Sequence, residues 1–515
     1  MNPRFDFTQE VPPVGELGAV HLIAIGGSGM SGVARMFLDA GVSVSGSDRD
    51  DSATLREVEG AGARVFVGHD AEHVRGADTV VISSAIPETN PELAAAREAG
   101  LRVLHRSQGI AAMLPGRDAV AIAGANGKTT TSAMTAHALR AAGVDPGFVI
   151  GAPLAGMATN ATPGAPGSPV VVEADESDGS FLVYRPRVAV VTNVQPDHLD
   201  FYGDADTVER AYADFAATIR PGGLLVTNAD DPGAARLAER ARDLGVRVVT
   251  WGTEVADVLL TDLRSEGMGA SAEVIFTRAL GPVSEGTRLR LSVPVPGTHN
   301  VHNAVAALLV GVAGLELEPE GLLAGLVEFP GAHRRFELVG SAGGVEVVDD
   351  YAHNAPKVAA VVQAARSAAE GRRVIVAFQP HLFSRTRDFA PGFAAGLAAA
   401  DVLLLLPVYG ARETQDQFPE VSSRLIADLI GSGNPGDAGE PDAGALRGAG
   451  ASPRKADPAN GVGPEVYLAE DLASAPEQLA ALVRPGDLVV TVGAGDVTKI
   501  GPRLLDLLQQ REEAR

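Results

Sequence analysis

Asp118-Ala-Val-Ala-Ile-Ala-Gly-Ala-Asn-Gly-Lys-Thr-Thr-Thr-Ser-Ala-Met134 is the stretch on which the reading of this chain turns. Ala119 to Ala123 is a short apolar run ending at a glycine, the pattern of a strand buried on both faces of a parallel sheet. Gly124-Ala-Asn-Gly127 turns the chain. Lys128 to Leu139 contains neither Gly nor Pro and reads as a helix. Strand, glycine turn and a helix opening on Lys-Thr make a phosphate cradle. Unpaired backbone N–H groups and the positive end of the helix dipole face an anion. In such a cradle Lys128 reaches the β/γ-phosphates and the Thr129 hydroxyl ligates Mg²⁺. The full P-loop spacing wants glycine where Ile122 stands, so the sequence offers the shorter Gly124-x-x-Gly127-Lys-Thr form. The plain alternative is a strand–helix turn with a chance Gly-Lys-Thr.

Upstream, Ala19 to Ile25 reads as a strand and Gly26-Gly-Ser-Gly-Met-Ser-Gly32 as a glycine turn. Val33 to Ala40 reads as a helix, and Val42 to Ser45 as the next strand, ending near Asp48. Gly27-x-Gly29-x-x-Gly32 with an acidic residue downstream fits a pyrophosphate-plus-ribose fingerprint, which a UDP-sugar satisfies as well as a dinucleotide. Thr79 to Ile82 is a strand whose C-terminal loop carries Ser84, at the end of the sheet where ligands sit. Downstream, Pro169 to Glu173 and Arg187 to Asn193 are strands, running into Ala174-Asp-Glu-Ser-Asp178 and Val194-Gln-Pro-Asp-His-Leu-Asp200. Glu173 ends a strand beside the cradle, a position that suits a Mg²⁺ ligand. His198, bracketed by carboxylates, suits a second metal or an orienting role. Asp178 reads as a solvated acidic turn. Residues 255–297 are strand-rich. A further α/β unit starts near Pro330, its strands ending in Asp349-Asp-Tyr-Ala-His353 and in His381, Arg385 and Arg387. Carboxylates there suit a ribose or an ammonium group, and arginines a carboxylate or a transferring phosphoryl group. Of Arg334 and Arg335, the second is expected to reach the site. Residues 431–463 form a Gly/Pro/Ala/Asp-rich run without periodicity, expected to be a disordered surface insertion.

The chain has 515 residues, a formal charge of −23 and no cysteine. Its length suits about three domains. The acidity and the lack of any basic stripe argue against a nucleic-acid partner. With no cysteine there is no disulfide, thiolate catalysis or Cys-based zinc site. No secretory signal or membrane span is read, so a cytoplasmic protein is expected. The fold class is α/β: a Rossmann-like N-terminal domain, a P-loop-type central domain on a parallel sheet and a Rossmann-like C-terminal domain, at 1–107, 108–330 and 331–515.

Eight segments in order resemble the Mur ligases: Ile25 to Gly32, Gly124 to Thr131, Glu173 to Asp178, Asn193 to Asp200, Pro296 to Asn303, Asp349 to His353, Phe378 to Asp388, and Gly493-Ala-Gly495. The resemblance implies that the first domain holds a UDP-sugar through Gly27, Ser28, Gly29, Met30, Ser31, Asp48 and Ser84. ATP would lie on Gly124, Ala125, Asn126, Gly127, Lys128, Thr129 and Thr130, with Asn300 and Asn303 at the adenine and Arg335 and Asp350 from a closing third domain. Mg²⁺ would be held by Thr129, Glu173 and His198. Tyr351, His353 and Arg385 would take an amino acid, and Lys128, His198, Arg385 and His353 would be catalytic. The implied reaction phosphorylates the lactyl carboxylate of UDP-N-acetylmuramate with ATP, and the amine of L-alanine then displaces the phosphate. The enzyme would be a monomer or homodimer.

Some positions depart from the family pattern. Ala125-Asn126 stands for Thr-His, His353-Asn354-Ala355 for a His-His-Pro run, and Leu382 for an arginine. The last leaves Arg385 or Arg387 to bind the amino-acid carboxylate. No lysine lies between Asp200 and Arg220, so no carbamylated lysine is expected. The rivals are a ligase adding a peptide or another amino acid, an NAD-dependent oxidoreductase, and an ATP-binding regulatory module. The oxidoreductase leaves Lys128 and Glu173 unexplained, and the module predicts loss of groups that are present.

Overall fold

The computed structural model describes residues 4–154, 159–411, 413–431 and 463–513, with the side chain of Asp200 excepted. Most of the insertion expected at 431–463 lies outside the described residues. The chain divides into two compact units. One comprises 1–264, 271–294 and 298–332; the other comprises 265–270, 295–297 and 333–515.

The first unit holds two sheets. The smaller has β1 (Val20–Ile23), β2 (Val44–Asp48), β3 (Arg64–Val67), β4 (Thr79–Ile82) and β5 (Arg102–His105), in the order β3-β2-β1-β4-β5. All its neighbours are parallel. The order reverses between β1 and β4, so the crevice beyond their C-terminal ends is the switch point where a ligand fits. The helix after β1 spans Ser28–Asp39, starting five residues earlier than expected, because the glycine turn is short and Ser28 to Gly32 already wind. The next strand runs to Asp48 itself.

The larger sheet has β6 (Ala119–Ala123), β7 (Gly147–Val149), β8 (Ala161–Thr162), β9 (Val170–Glu173), β10 (Val188–Val191), β11 (Leu224–Asn228), β12 (Arg247–Gly252), β13 (Val258–Glu266), β14 (Gly269–Phe276) and β15 (Arg288–Val293). The order is β15-β14-β13-β12-β11-β10-β6-β9-β7-β8. β6 is central, paired in parallel with β9 and β10, and all five of its residues are buried. Its small alanines allow close packing from both faces. Behind the cradle, helix Pro319–Val327 lies so close to helix Lys128–Ala141 that a Cβ on Gly325 would meet Ala138 Cα at 2.9 Å. That backing fixes the axis of the helix whose N-terminus faces the phosphate site.

The second unit carries β16 (Glu337–Ala342), β17 (Val345–Asp350), β18 (Val374–Phe378), β19 (Val402–Leu405), β20 (Glu465–Leu468) and β21 (Leu488–Val492), ordered β16-β17-β21-β18-β19-β20. Among the described residues of this sheet β16 is antiparallel to β17, and the other pairs are parallel. Asp349 and Asp350 belong to β17 itself rather than to a loop after it. Among the described residues no helix is long and apolar enough to cross a membrane.

Candidate functional site

The Gly124–Gly127 turn is built by backbone conformations that side chains resist. Gly124 has φ +131 and a Cβ there would lie 2.0 Å from Thr192 Oγ1; Gly127, at φ +88, would meet Asn303 Oδ1 at 2.6 Å. Between them Asn126 donates its N–H to Asn193 Oδ1 (3.0 Å), and its carbonyl accepts from Thr192 Oγ1 (2.6 Å) and Asn193 Nδ2 (3.0 Å). Asn303 Oδ1 accepts from Thr131 Oγ1 (3.1 Å), and Asn303 Nδ2 donates to Asn300 Oδ1 (3.1 Å). Both asparagines are buried against the cradle. Among the described residues no side chain caps helix Lys128–Ala141, and an uncapped helix N-terminus suits an anion.

Lys128 Nζ donates to Gly124 O and to both carboxylate oxygens of Glu176, each at 2.8 Å. Burial works against its charge, yet the carboxylates of Glu176, Asp175 and Glu173 outweigh burial and raise its pKa. Glu176 is itself buried, and burial pushes its carboxyl up. Sequence reading passed over Glu176; its spacing gives no sign that it, among four acidic residues, faces the lysine.

Thr129 Oγ1 donates to Glu173 Oε1 at 2.9 Å, and Glu173 Oε2 accepts the Gly151 N–H at 2.7 Å. The structure therefore brings Thr129 and Glu173 together as one hard-oxygen pair. His198 joins a different group: its ring nitrogen, an Asp175 oxygen and a Glu176 oxygen all lie within 4.8 Å of one another. Two oxygen-rich positions beside a phosphate cradle fit Mg²⁺, which takes few protein ligands and shares phosphate oxygens. His198 adopts φ +53 to turn toward Glu176 (3.7 Å).

At the crevice of the smaller sheet, Asp48 Oδ2 accepts the Gly26 N–H at 2.9 Å, and helix Ser28–Asp39 has no side-chain cap. Ser28 to Ser31 are therefore the first turn of a helix without a side-chain cap, and the Ser31 N–H already donates to Gly27 O at 2.9 Å. Arg106, which sequence reading missed, follows β5 and reaches across. A Cβ on Gly29 would stand 2.6 Å from its Nη1. Ser28 O accepts from Asn160 Nδ2 at 2.8 Å, so the turn is braced by the larger sheet's edge. Asp178 is not a solvated turn. It is half-buried, accepts from Ser84 Oγ and lies 3.4 Å from His105 Nε2, because the acidic loop packs on the ends of β4 and β5.

In the second unit Arg334 and Arg335 are both half-buried. At φ +57 the Arg334 side chain turns inward to Asp349 Oδ2 (2.9 Å) and to the carbonyls of Gly493 and Gly495. Both guanidinium groups lie over the Tyr351 ring, at 5.0 and 5.4 Å. Asp350 accepts the N–H groups of Phe336 and Ala352, each at 2.8 Å, and burial raises its pKa with Arg335 opposing. His353 Nδ1 donates to Tyr351 O (3.0 Å), leaving Nε2 as the lone-pair nitrogen. Burial, aided by Arg385, lowers the His353 pKa to about 4. Arg385 Nη1 lies 3.4 Å from His381 Nδ1, so Tyr351, His353, His381 and Arg385 form one cluster. Leu382 is buried and Arg387 pairs outward with Asp388, so of Arg385 and Arg387 it is Arg385 that joins this cluster.

Comparison with known proteins agrees along the length. Models for the Mur ligase family catalytic domain, the Mur ligase middle domain and the Mur ligase glutamate ligase domain match residues 19–117, 122–311 and 334–495. A UDP-N-acetylmuramate–L-alanine ligase of Kineococcus radiotolerans is 49% identical over 505 residues, 97% of this chain and 98% of that one. The structure of the UDP-N-acetylmuramate–alanine ligase from Thermotoga maritima superposes with a TM-score of 0.74 at 26% identity, covering 96% of this chain and 100% of that one. A murein peptide ligase from Psychrobacter arcticus shares the fold at a TM-score of 0.65 and 22% identity, covering 96% and 99%.

Proposed function

Because the chain belongs to the Mur ligase family, we propose that it is an ATP-dependent ligase joining L-alanine to UDP-N-acetylmuramate in peptidoglycan precursor synthesis. The observation that carries this is the cradle with Lys128 on its first turn, flanked by the Thr129–Glu173 pair, in a chain 49% identical to a ligase of that name.

In this reading residues 1–107 bind the UDP-sugar, 108–330 bind ATP and 331–515 form the ligase domain that takes the amino acid. The diphosphate lies on the N–H groups of Ser28 to Met30, beside the Ser31 hydroxyl, with Arg106 as counter-charge, and Asp48 and Ser84 flank it. The nucleotide phosphates lie on Gly124 to Thr130, and Lys128 exchanges Glu176 for a phosphate oxygen. Asn300 and Asn303 line the adenine side. Thr129 and Glu173 would hold one Mg²⁺, and Asp175, Glu176 and His198 a second; bound there, the ions neutralise charge on the transferring phosphoryl group.

The lactyl carboxylate attacks the γ-phosphorus, ADP leaves, and an acyl phosphate remains. The amine of L-alanine attacks the acyl carbon, phosphate leaves and the amine gives up a proton. Tyr351, His353 and Arg385 position the amino acid: Arg385 faces its carboxylate, and the unprotonated Nε2 of His353 accepts a hydrogen bond from its amine. Substrates of this kind point to a cytoplasmic enzyme.

The test is phosphate release by the purified protein with UDP-N-acetylmuramate, ATP and Mg²⁺. Release is expected only when an amino acid is added, fastest with L-alanine. Release independent of the sugar, or faster with a tripeptide, overturns the reading.

A further inference from the structure

Ser84, just beyond β4, and Asp178, in the acidic loop after β9, are joined by a histidine that the reaction above does not use. Ser84 Oγ donates to Asp178 Oδ2, and His105 Nε2 lies 3.1 Å from Ser84 Oγ and 3.4 Å from Asp178 Oδ2. His105 is 1% exposed, and the rings of Phe5 and Phe7 pack on it at 5.2 and 5.4 Å. On its other side the Ser107 N–H points at Nδ1 (3.3 Å), with Ser107 Oγ 2.8 Å away. A nitrogen that accepts an N–H carries no proton, so the imidazole hydrogen is on Nε2. The donors then run one way: Ser107 to His105, His105 to Ser84, Ser84 to Asp178. Burial keeps the ring neutral, its pKa lowered to about 4 against the pull of Asp178. The second oxygen of Asp178 accepts the Ser180 N–H at 3.0 Å, which ties the chain of donors into the loop backbone.

We propose that His105 is a positioning residue that couples the two nucleotide sites. It aims the Ser84 hydroxyl at Asp178 and so fastens the loop carrying Asp175 and Glu176 to the strand ends. The inference rests on the assignment of those strand ends to the UDP-sugar and of Lys128 to ATP. A sugar nucleotide that draws the Ser84 hydroxyl to itself takes it from Asp178. The loop is freed, Glu176 yields Lys128 more readily, and ATP binds more tightly. By linkage ATP tightens the sugar nucleotide by the same factor.

The experiment is titration calorimetry on the full chain with a β,γ-imido ATP analogue and Mg²⁺, with and without saturating UDP-N-acetylmuramate. In the wild type the sugar nucleotide is expected to tighten the analogue about fivefold or more. His105→Gln puts an amide nitrogen near the Nε2 position and should keep the coupling. His105→Asn reaches only the Nδ1 position and should reduce it to within about twofold of none. Each variant should still bind each ligand alone, and a melting transition near that of the wild type checks folding. Equal coupling in wild type and His105→Asn overturns the proposal, as does equal loss in both variants, which marks a merely structural histidine. A wild type that binds no UDP-N-acetylmuramate overturns instead the functional reading beneath it.

Discussion

Lys128 and Glu176 form a nearly solvent-free ion pair, Nζ lying 2.8 Å from both carboxylate oxygens with side-chain exposures of 13% and 2%. The lysine expected to hold phosphate is thus held in readiness by a carboxylate from the next strand's loop. Breaking a buried pair from one side strands the other charge, at a cost of about 3 kcal/mol. Lys128→Met and Glu176→Gln should each lower the melting temperature of the ligand-free protein. The double variant should melt above the sum of the two losses, by a coupling of about 1–3 kcal/mol. Strictly additive losses in calorimetry would show that the pair carries no shared energy. Lys128→Met should also abolish turnover.

Thr129 and Glu173 share one hydrogen bond at 2.9 Å. Thr129→Val keeps the shape and removes the oxygen. It should raise the Mg²⁺ concentration for half-maximal phosphate release by about tenfold or more, within the range typical for disturbed metal sites. The melting temperature of the ligand-free protein should change little. An unchanged Mg²⁺ requirement would refute the role of Thr129.

What the sequence displayed and what it hid divide along a physical line. Strands such as Ala119–Ala123 and the turns at Gly26 and Gly124 are local signals, since apolar runs and glycine spacing are set by neighbours in the chain. Glu176, Asp178 and Arg106 act across elements, and nothing within a few residues of them tells which side chain faces Lys128, Ser84 or Gly29. Arg334 and Arg335 both lie over the Tyr351 ring, and their adjacent positions do not show which of them also pairs with Asp349. Arg334 sits at φ +57, which turns inward the side chain that a regular extended segment would present outward. The glycine turns were legible as glycine; the residues that fill the space around them were not.

Gly127 combines φ +88 with an approach that would set a Cβ 2.6 Å from Asn303 Oδ1. Gly127→Ala must therefore strain the backbone and displace Asn303, which also holds Thr131. A cost of about 1–3 kcal/mol is expected, with loss of nucleotide binding. Asn303→Ala opens the space again, so Gly127→Ala in an Asn303→Ala background should cost less than in the wild type. Calorimetry that finds the same cost in both backgrounds would place the strain elsewhere.

Glu92 is fully buried beneath the smaller sheet, accepting from Ser47 Oγ at 2.5 Å and lying 2.7 Å from His73 Nδ1 and 3.9 Å from His21 Nε2. Burial alone would raise its pKa, but His21, Ser47 and His73 outweigh burial and hold it near 2 against an ordinary 4.5. A depressed folded-state pKa contributes stability that is complete above the unfolded value and is lost as pH falls through the folded one. The contribution is roughly 3 kcal/mol, and it should disappear between about pH 4.5 and pH 2. Glu92→Gln should lower the melting temperature at pH 7, while its gap from the wild type narrows steadily below pH 4.5. A gap of constant size from pH 7 to pH 2.5 would mean that Glu92 contributes through packing and not through its charge.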